Sequence, residues 1–372
     1  MSFRKIFLNK CLDIAYLPIL KLVLRPLLLN KSSGRAVLNY VCDIAQKHTD
    51  NYFNFKTIPK FASSYLPSEI KCASSFEDFA IVIQGLLEKK DDFTYQTVLL
   101  YKAMYPGIKI IVSTWDYEDS DQIKRYRELG CEVILSKDIE VCGMGNVNYQ
   151  ICTTLAGIKR AKELNTRYVL KNRSDLRLCR EKAILYLKNL LDIYPVTDAT
   201  YGQKGRIITQ AANPGQMFIP YWLQDFIYFG YTDDLLELFD IPYSNEQIHS
   251  TPEYLNKNFQ VVTGETLKNE GTPELYIVKS YLKKKGCVDD TVKHFWQLIQ
   301  SIFLVVDQEA IGSFWVKYNI RDLSQYYCEY NGKNNFEDAW RHISHEDFVN
   351  IYTGEYIYET WMEKKCREYK IK

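Results

Sequence analysis

From Asp78 to Leu178 the chain alternates short apolar runs with amphipathic ones, and this alternation constrains the fold more than any other feature. FAIVIQGLL (79–87), IKIIVSTW (108–115), CEVILSKD (131–138) and the start of YVLKNRSDLRL (168–178) are short and largely apolar, as strands buried on both faces are. Between them the periodicity predicts helices over Thr94 to Tyr105, Asp121 to Leu129 and Asn146 to Leu164. Pro106–Gly107 and Gly130 stop the first two. The order predicts an α/β fold, a mostly parallel sheet flanked by helices with right-handed crossovers. Ligands of such sheets sit at the carboxyl ends of the strands. Gln84 and Gly85, Thr114 and Trp115, and the charged group Arg173, Asp175 and Arg177 are all delivered to that edge.

The flanking regions are less regular. A helix is predicted from Ala36 to Lys47, followed to residue 78 by a polar connector with Pro59, Pro67 and two Ser–Ser pairs. Further on, Arg180 to Ile193, Thr232 to Phe239 and Glu274 to Lys285 read as helices, and Gly202 to Gly230 as strands and loops. The boundaries suggested are 1–35, 36–78, 79–200, a less regular second half over 201–320, and 321–372 with a basic tail.

Net charge is +1 over 372 residues, which gives no support to nucleic-acid binding. The ten cysteines are scattered without a CxxC pair, as in a reduced cytoplasmic protein, and do not suggest zinc. Residues 1–35 differ: seven basic residues and one acid give +6, interleaved with Leu and Ile. Lys21, Arg25, Pro18 and Pro26 interrupt the run, so it is too broken to span a bilayer. It suits a segment lying in an anionic membrane surface, or else a helix packed on the protein itself.

No GxGxxG follows the first strand and no GxxxxGK[ST] occurs, which disfavours a dinucleotide site and excludes a P-loop. In NRSDLR (172–177) one carboxylate between two guanidiniums suits a divalent cation and a diphosphate; the duller reading is an ion pair capping the strand. GMGNVN (143–148) either offers amides to an anion or simply leads into a helix. Asp225, at the start of an aromatic run, is either an anchor to backbone or a general base. Glu274 follows Pro273 in a first helical turn, where capping is the alternative role. His294 reads as a core histidine, and HISHE (342–346) does not match the HExxH zinc helix.

The runs AIVIQG, IIVSTW, NVNYQICTTLAGIKRA and YVLKNRSDLRL, with DFIYFG, TPELYI and FLVVDQEAIGSFWVKY further on, resemble the WavE family of bacterial lipopolysaccharide-synthesis proteins. The resemblance implies a GT-A-like fold and a glycosyltransferase. The donor would be a nucleotide-activated sugar, and the acceptor a lipid-linked or oligosaccharide precursor of lipopolysaccharide. It further implies that Gln84, Gly85, Thr114 and Trp115 hold the nucleotide, and that Arg173, Asp175 and Arg177 hold the diphosphate. Asp225 or Glu274 would deprotonate the acceptor in an inverting reaction. GT-A enzymes usually carry Asp-x-Asp; here Arg173 takes the first place, leaving Asp175 as the one ligand for Mg²⁺ or Mn²⁺. The expected location is cytoplasmic, peripheral to the inner membrane. Two other readings stay open: a nucleotidyltransferase, of whose Lys- and Gly-rich loop GLLEKKDD is a faint version, and a non-catalytic glycan- or sugar-nucleotide-binding assembly protein.

Overall fold

The computed structural model describes residues 31–50, 52, 57–65, 75–211, 217, 220–248, 272–316 and 343–356. The chain divides into two units, Met1–Pro59 and Lys60–Lys372. The first contributes helix α1 (Lys31–Lys47), which begins before the expected Ala36 and exposes Leu38, Tyr40, Val41 and Ile44. Residues 1–30, most of the expected membrane-surface segment, lie outside the described residues. Among the described residues no helix is long and apolar enough to cross a membrane.

The second unit is built on β1 (Phe79–Gln84), α2 (Phe93–Met104), β2 (Lys109–Trp115), α3 (Ser120–Glu128), β3 (Glu132–Ser136), β4 (Gly143–Met144), α4 (Val147–Glu163), β5 (Tyr168–Arg173) and β6 (Leu176–Leu178). There follow α5 (Ala183–Ile193), β7 (Ile207–Ala211), β8 (Ile227–Tyr231), α6 (Thr232–Phe239) and β9 (Gln247–Ile248). The last elements are α7 (Pro273–Lys284), α8 (Val292–Ser301), β10 (Phe303–Asp307), α9 (Gln308–Ile311), β11 (Ser313–Trp315) and α10 (His345–Thr353). Helix starts follow local chemistry. Asp119 accepts from the amides of Asp121 and Gln122 at α3, Thr272 caps α7, Thr291 caps α8, and Ser344 with Asp347 forms a capping box at α10.

Seven strands form one sheet in the order β10-β7-β8-β5-β1-β2-β3. The four strands expected from the alternation, β5, β1, β2 and β3, pair in parallel, and β7 pairs in parallel with β10. β8 runs antiparallel to both its neighbours, β5 and β7. The fold is thus α/β with a mostly parallel, mixed sheet, and strands from both 79–200 and 201–320 share it. The reversal of β8 has a consequence for the site. Its amino end lies beside the carboxyl ends of β5 and β7, with Ile227 paired to Asn172. The residues just before β8, Asp225 among them, therefore arrive at the edge where β5 and β7 end.

The center of the sheet is buried on both faces: every residue of β1 is buried, and Ile81, Val82, Val169 and Leu170 are fully so. α4 approaches β1 closely because Gly157 has no side chain; a Cβ there would lie 2.3 Å from Val82 Cγ1 and 3.2 Å from Ser113 Cβ. A small antiparallel ribbon pairs β6 with β11, and this ribbon brings Trp315 beside Asp175-flanking Leu176. Gly157→Ala should destabilise the unit by about 1–3 kcal/mol despite the better helix propensity of alanine, since the strand residue opposite has no room to yield. Chemical denaturation of the two proteins checks this; equal midpoints would mean that the α4–β1 contact is looser than described.

Candidate active site

Alternation along β5 sends Lys171 and Arg173 to one face of the sheet and Asn172 to the other, where its amide donates to the Leu176 carbonyl. After the turn at Ser174, Asp175 folds back onto Arg173. Arg173 Nε donates to Asp175 Oδ1 at 2.9 Å and Nη2 to Oδ2 at 3.0 Å, a bidentate pair. The Arg173 guanidinium carbon lies 5.5 Å from the Phe226 ring centroid and 5.3 Å from that of Trp315. Its side chain keeps 24% of its surface exposed and that of Asp175 13%, so the pair closes the edge while still facing solvent.

Behind this pair lies a buried charged group. Lys171, fully buried, donates from Nζ to the main-chain oxygen of Asp225 and faces the Tyr228 ring. The Asp225 amide donates to its neighbour's Gln224 Oε1 at 2.7 Å. Glu274 enters from the first turn of α7, just after the Thr272 cap, and is also buried. Burial pushes the Lys171 ammonium down to about 7, against the pull of Asp225; Arg173 pushes it further down. Burial and then the Asp225 charge raise the Glu274 carboxyl well above the usual range. Burial opposes the charge of Arg173, yet Asp175, Asp225 and Glu274 together hold that guanidinium above its ordinary value. The hydroxyl of Tyr228, raised by burial and by the same two acids, has no hydrogen-bond partner among the described residues. Arg173, Asp175, Asp225 and Glu274, singled out in three separate sequence segments, thus lie in one electrostatic group. Its center was missed by sequence reading: Lys171. The signal was present, because a lysine two residues before Arg173 in an apolar strand shares its face.

The remaining expected residues are placed as follows. Gln84 is buried and accepts from Thr153 of α4 at 3.0 Å. Thr114 is fully buried, its Oγ1 without a partner among the described residues. Trp115 is buried edge-on to Tyr149 and stacks with Tyr117, whose ring is exposed. These three form the floor of the edge. Gly85, at φ +103°, turns the chain there, with its amide bonded to the Ser113 carbonyl. Ser174 stitches that turn to the charged cluster: its amide donates to the Gln84 carbonyl at 3.0 Å and its hydroxyl to that of Leu86.

Arg177 does not join Arg173. It is fully buried on α2, donating to Thr97 Oγ1 and to the carbonyls of Phe93 and Lys60, with its guanidinium 4.4 Å from the Phe93 ring centroid. The turn at Ser174–Asp175 starts a new strand and carries Arg177 away from the ligand edge. GMGNVN runs from β4 into the first turn of α4 and is pinned by Asn148, whose amide donates to the Val141 and Ser244 carbonyls. His345 of HISHE is held by the Val305 carbonyl, and His294 by the Tyr221 hydroxyl; His342 lies outside the described residues. Nor does the donor set build a cation cage. Both Asp175 oxygens accept from Arg173, and among the described residues no group of three or more His, Cys, Asp or Glu is arranged to hold a metal ion.

Residues 79–370 match the family model of WavE lipopolysaccharide synthesis. No curated protein matches the chain. Among solved structures, the chain is similar to a glycosyltransferase involved in the glycosylation of the major capsid of PBCV-1. The identity is 12% and the TM-score 0.30, covering 62% of this chain and 81% of that one. A cytidylyltransferase from Leptospira borgpetersenii shows 12% identity and a TM-score of 0.28, covering 49% of this chain and 72% of that one. These likenesses are shallow, and the strand order described above does not depend on them.

The raised Glu274 carboxyl has a measurable consequence. Folding binds a proton there that the unfolded chain releases, so its stabilising contribution is present below the ordinary carboxyl range and is lost as pH rises through the raised value. Glu274→Gln should therefore raise thermal stability, and the gain should grow from pH 5 to pH 8, reaching about 1 kcal/mol or more. A gain that is constant with pH would show that the carboxyl titrates normally.

Proposed function

The chain belongs to the WavE lipopolysaccharide synthesis family, and from that premise we propose that it is a glycosyltransferase moving a sugar from a nucleotide-activated donor to a lipopolysaccharide or surface-polysaccharide acceptor. The observation that carries the reading is the meeting of one partly exposed arginine, Arg173, with two buried acids, Asp225 and Glu274, at the carboxyl edge of the sheet. Arg173 would donate to the diphosphate and stabilise the charge it gains as the bond to the sugar breaks. The exposed Tyr117 ring, backed by Trp115, offers a face for the base.

The two acids divide the remaining work. Burial and the neighbouring charge favour the protonated form of Glu274, which leaves Asp225 to act as the base. The acceptor hydroxyl gives its proton to Asp225, the oxygen bonds to the anomeric carbon, and the nucleoside diphosphate leaves with the electron pair of the broken C–O bond. Glu274, as a neutral acid, donates a hydrogen bond and helps to position the acceptor. Lys171 acts through Asp225, fixing its main chain.

Place follows from the acceptor. A lipid-linked acceptor lies at the cytoplasmic leaflet of the inner membrane. The +6 segment 1–35 would hold the enzyme there, each basic residue near the surface contributing about 1 kcal/mol. α1 adds the exposed Leu38, Val41 and Ile44.

Release of nucleoside diphosphate from a panel of sugar nucleotides tests the reaction. Asp225→Asn and Asp175→Asn should each lower release by about 100-fold or more with the unfolding temperature little changed, the first by removing the base and the second by loosening Arg173. Activity near wild type in Asp225→Asn would move the base elsewhere. For the location, the full chain should sediment with anionic vesicles and be released by high salt, and removal of residues 1–35 should abolish sedimentation while nucleotide binding persists. Full-length protein that ignores anionic vesicles would remove the membrane reading.

A further inference from the structure

We infer that the Arg173 guanidinium, locked onto Asp175, takes the place of a divalent cation, so that this chain binds the donor diphosphate without a metal ion. The inference rests on reading the strand edge as a nucleotide-sugar site. It deepens that reading by naming what neutralises the diphosphate.

Three observations carry it. First, the position is built for a fixed guanidinium. Two of its five N–H groups are spent on Asp175, at 2.9 and 3.0 Å, and its carbon lies 5.5 and 5.3 Å from the Phe226 and Trp315 rings, which pack against each other. The remaining N–H groups lie on a side chain that still reaches solvent and can donate to phosphate oxygens. Second, the carboxylate that a cation would need is already engaged. A Mg²⁺ ion sits about 2.1 Å from its carboxylate oxygens and demands near-octahedral geometry. To use Asp175 it would have to share those oxygens with Arg173 and sit beside that fixed positive charge. Third, no replacement cage stands nearby: among the described residues no three His, Cys, Asp or Glu are arranged around a common point. Asp225 and Glu274 approach the cluster from behind, on the segment before β8 and on α7. An arginine therefore does at this edge what a carboxylate–metal pair does elsewhere: it presents fixed positive charge with directional donors. Asp175 is then a positioning residue that holds the fork in place and does not itself touch the diphosphate.

The experiment uses the full chain and the nucleotides UDP, GDP, CDP and CMP. Binding is followed by thermal shift and calorimetry, once in EDTA and once with Mn²⁺. The nucleotide that binds should do so with affinities equal within about twofold in the two buffers, and Mn²⁺ alone, followed by its electron-spin signal, should show no tight site. Arg173→Lys should weaken nucleotide binding by about tenfold to a hundredfold in both buffers, as expected for a lost charge-assisted fork. Arg173→Asp, which places two carboxylates two residues apart, should abolish binding in EDTA and make what remains depend on Mn²⁺. If a nucleotide binds the wild-type chain only with Mn²⁺, the inference is overturned while the nucleotide-sugar reading stands. If none binds in either buffer, the nucleotide-sugar reading falls and takes the inference with it. Arg173→Gln, uncharged and close in length, serves if Arg173→Asp fails to fold, and its expected loss is the same in both buffers.

Discussion

A lysine buried in the middle of an apolar sheet must find an acceptor or lose its charge, and Lys171 finds the main-chain oxygen of Asp225. That one bond joins β5 to the segment before β8. It can form because β8 runs against its neighbours and returns its amino end to the edge where β5 finishes. Two residues further along β5 the same side-chain alternation places Arg173 on the same face. The ion pair with Asp175, the aromatic flanks and the two acids are all arranged around this short stretch of strand. Removing the lysine would leave a buried carbonyl without its donor and would detach the Asp225 main chain from the strand beside it.

The fold was legible to the extent that it is local. Four parallel strands and the helices between them follow from runs such as AIVIQ and IIVSTW, whose apolar stretches and Gly or Pro stops mark elements to within a few residues. Strand direction is not encoded in such a pattern. Nothing in DFIYFG says that β8 is reversed, although the approach of Asp225 to Arg173 depends on that reversal. Trp315 flanks Arg173 only because β11 pairs with β6, a contact between residues far apart in sequence. Conversely, nearness in sequence misled at Arg177. The run NRSDLR looks like one charged patch, but the turn inside it splits the patch between the carboxyl edge of the sheet and the surface of α2. Thr114 and Trp115 were rightly placed at a strand end, yet their burial makes them floor, and it is Tyr117 that offers an exposed ring.

Three arginines show why burial and partner type separate a structural guanidinium from a candidate binding one. Arg206 is fully buried and donates to five main-chain carbonyls, those of Tyr194, Pro195, Ile299, Gln300 and Phe303. Burial with no acid beside it pushes its guanidinium down to about 10. Four of its five N–H groups are spent on these carbonyls, and it ties the end of α8 and the start of β10 to the segment after α5. Arg177 is similar, with a hydroxyl and two carbonyls as acceptors. Arg173 alone of the three pairs with a carboxylate, keeps a solvent-facing surface and retains N–H groups beyond those that fix it. An arginine buried against main-chain carbonyls braces the fold, whereas one that is held by a carboxylate and still partly exposed can also bind an anion.

The same logic separates the two acids. Both approach Arg173, but Glu274 emerges from the first turn of α7 into a buried position beside Asp225. Two like charges in a medium of low dielectric resist ionising together, and burial with the neighbouring Asp225 charge raises the Glu274 carboxyl. The helix amino terminus and the Thr272 hydroxyl favour an ionised Glu274 but do not outweigh burial and the neighbouring charge. Asp225 and Glu274 are therefore not interchangeable, even though each is a carboxyl placed at the same edge. Lys171 depends on the same balance: its ammonium, lowered by burial, is kept from falling further by Asp225, and it gives part of that charge back as a hydrogen bond to the Asp225 main chain. The site is thus a set of groups whose protonation depends on one another, and the strand reversal at β8 is what brings them within reach of each other.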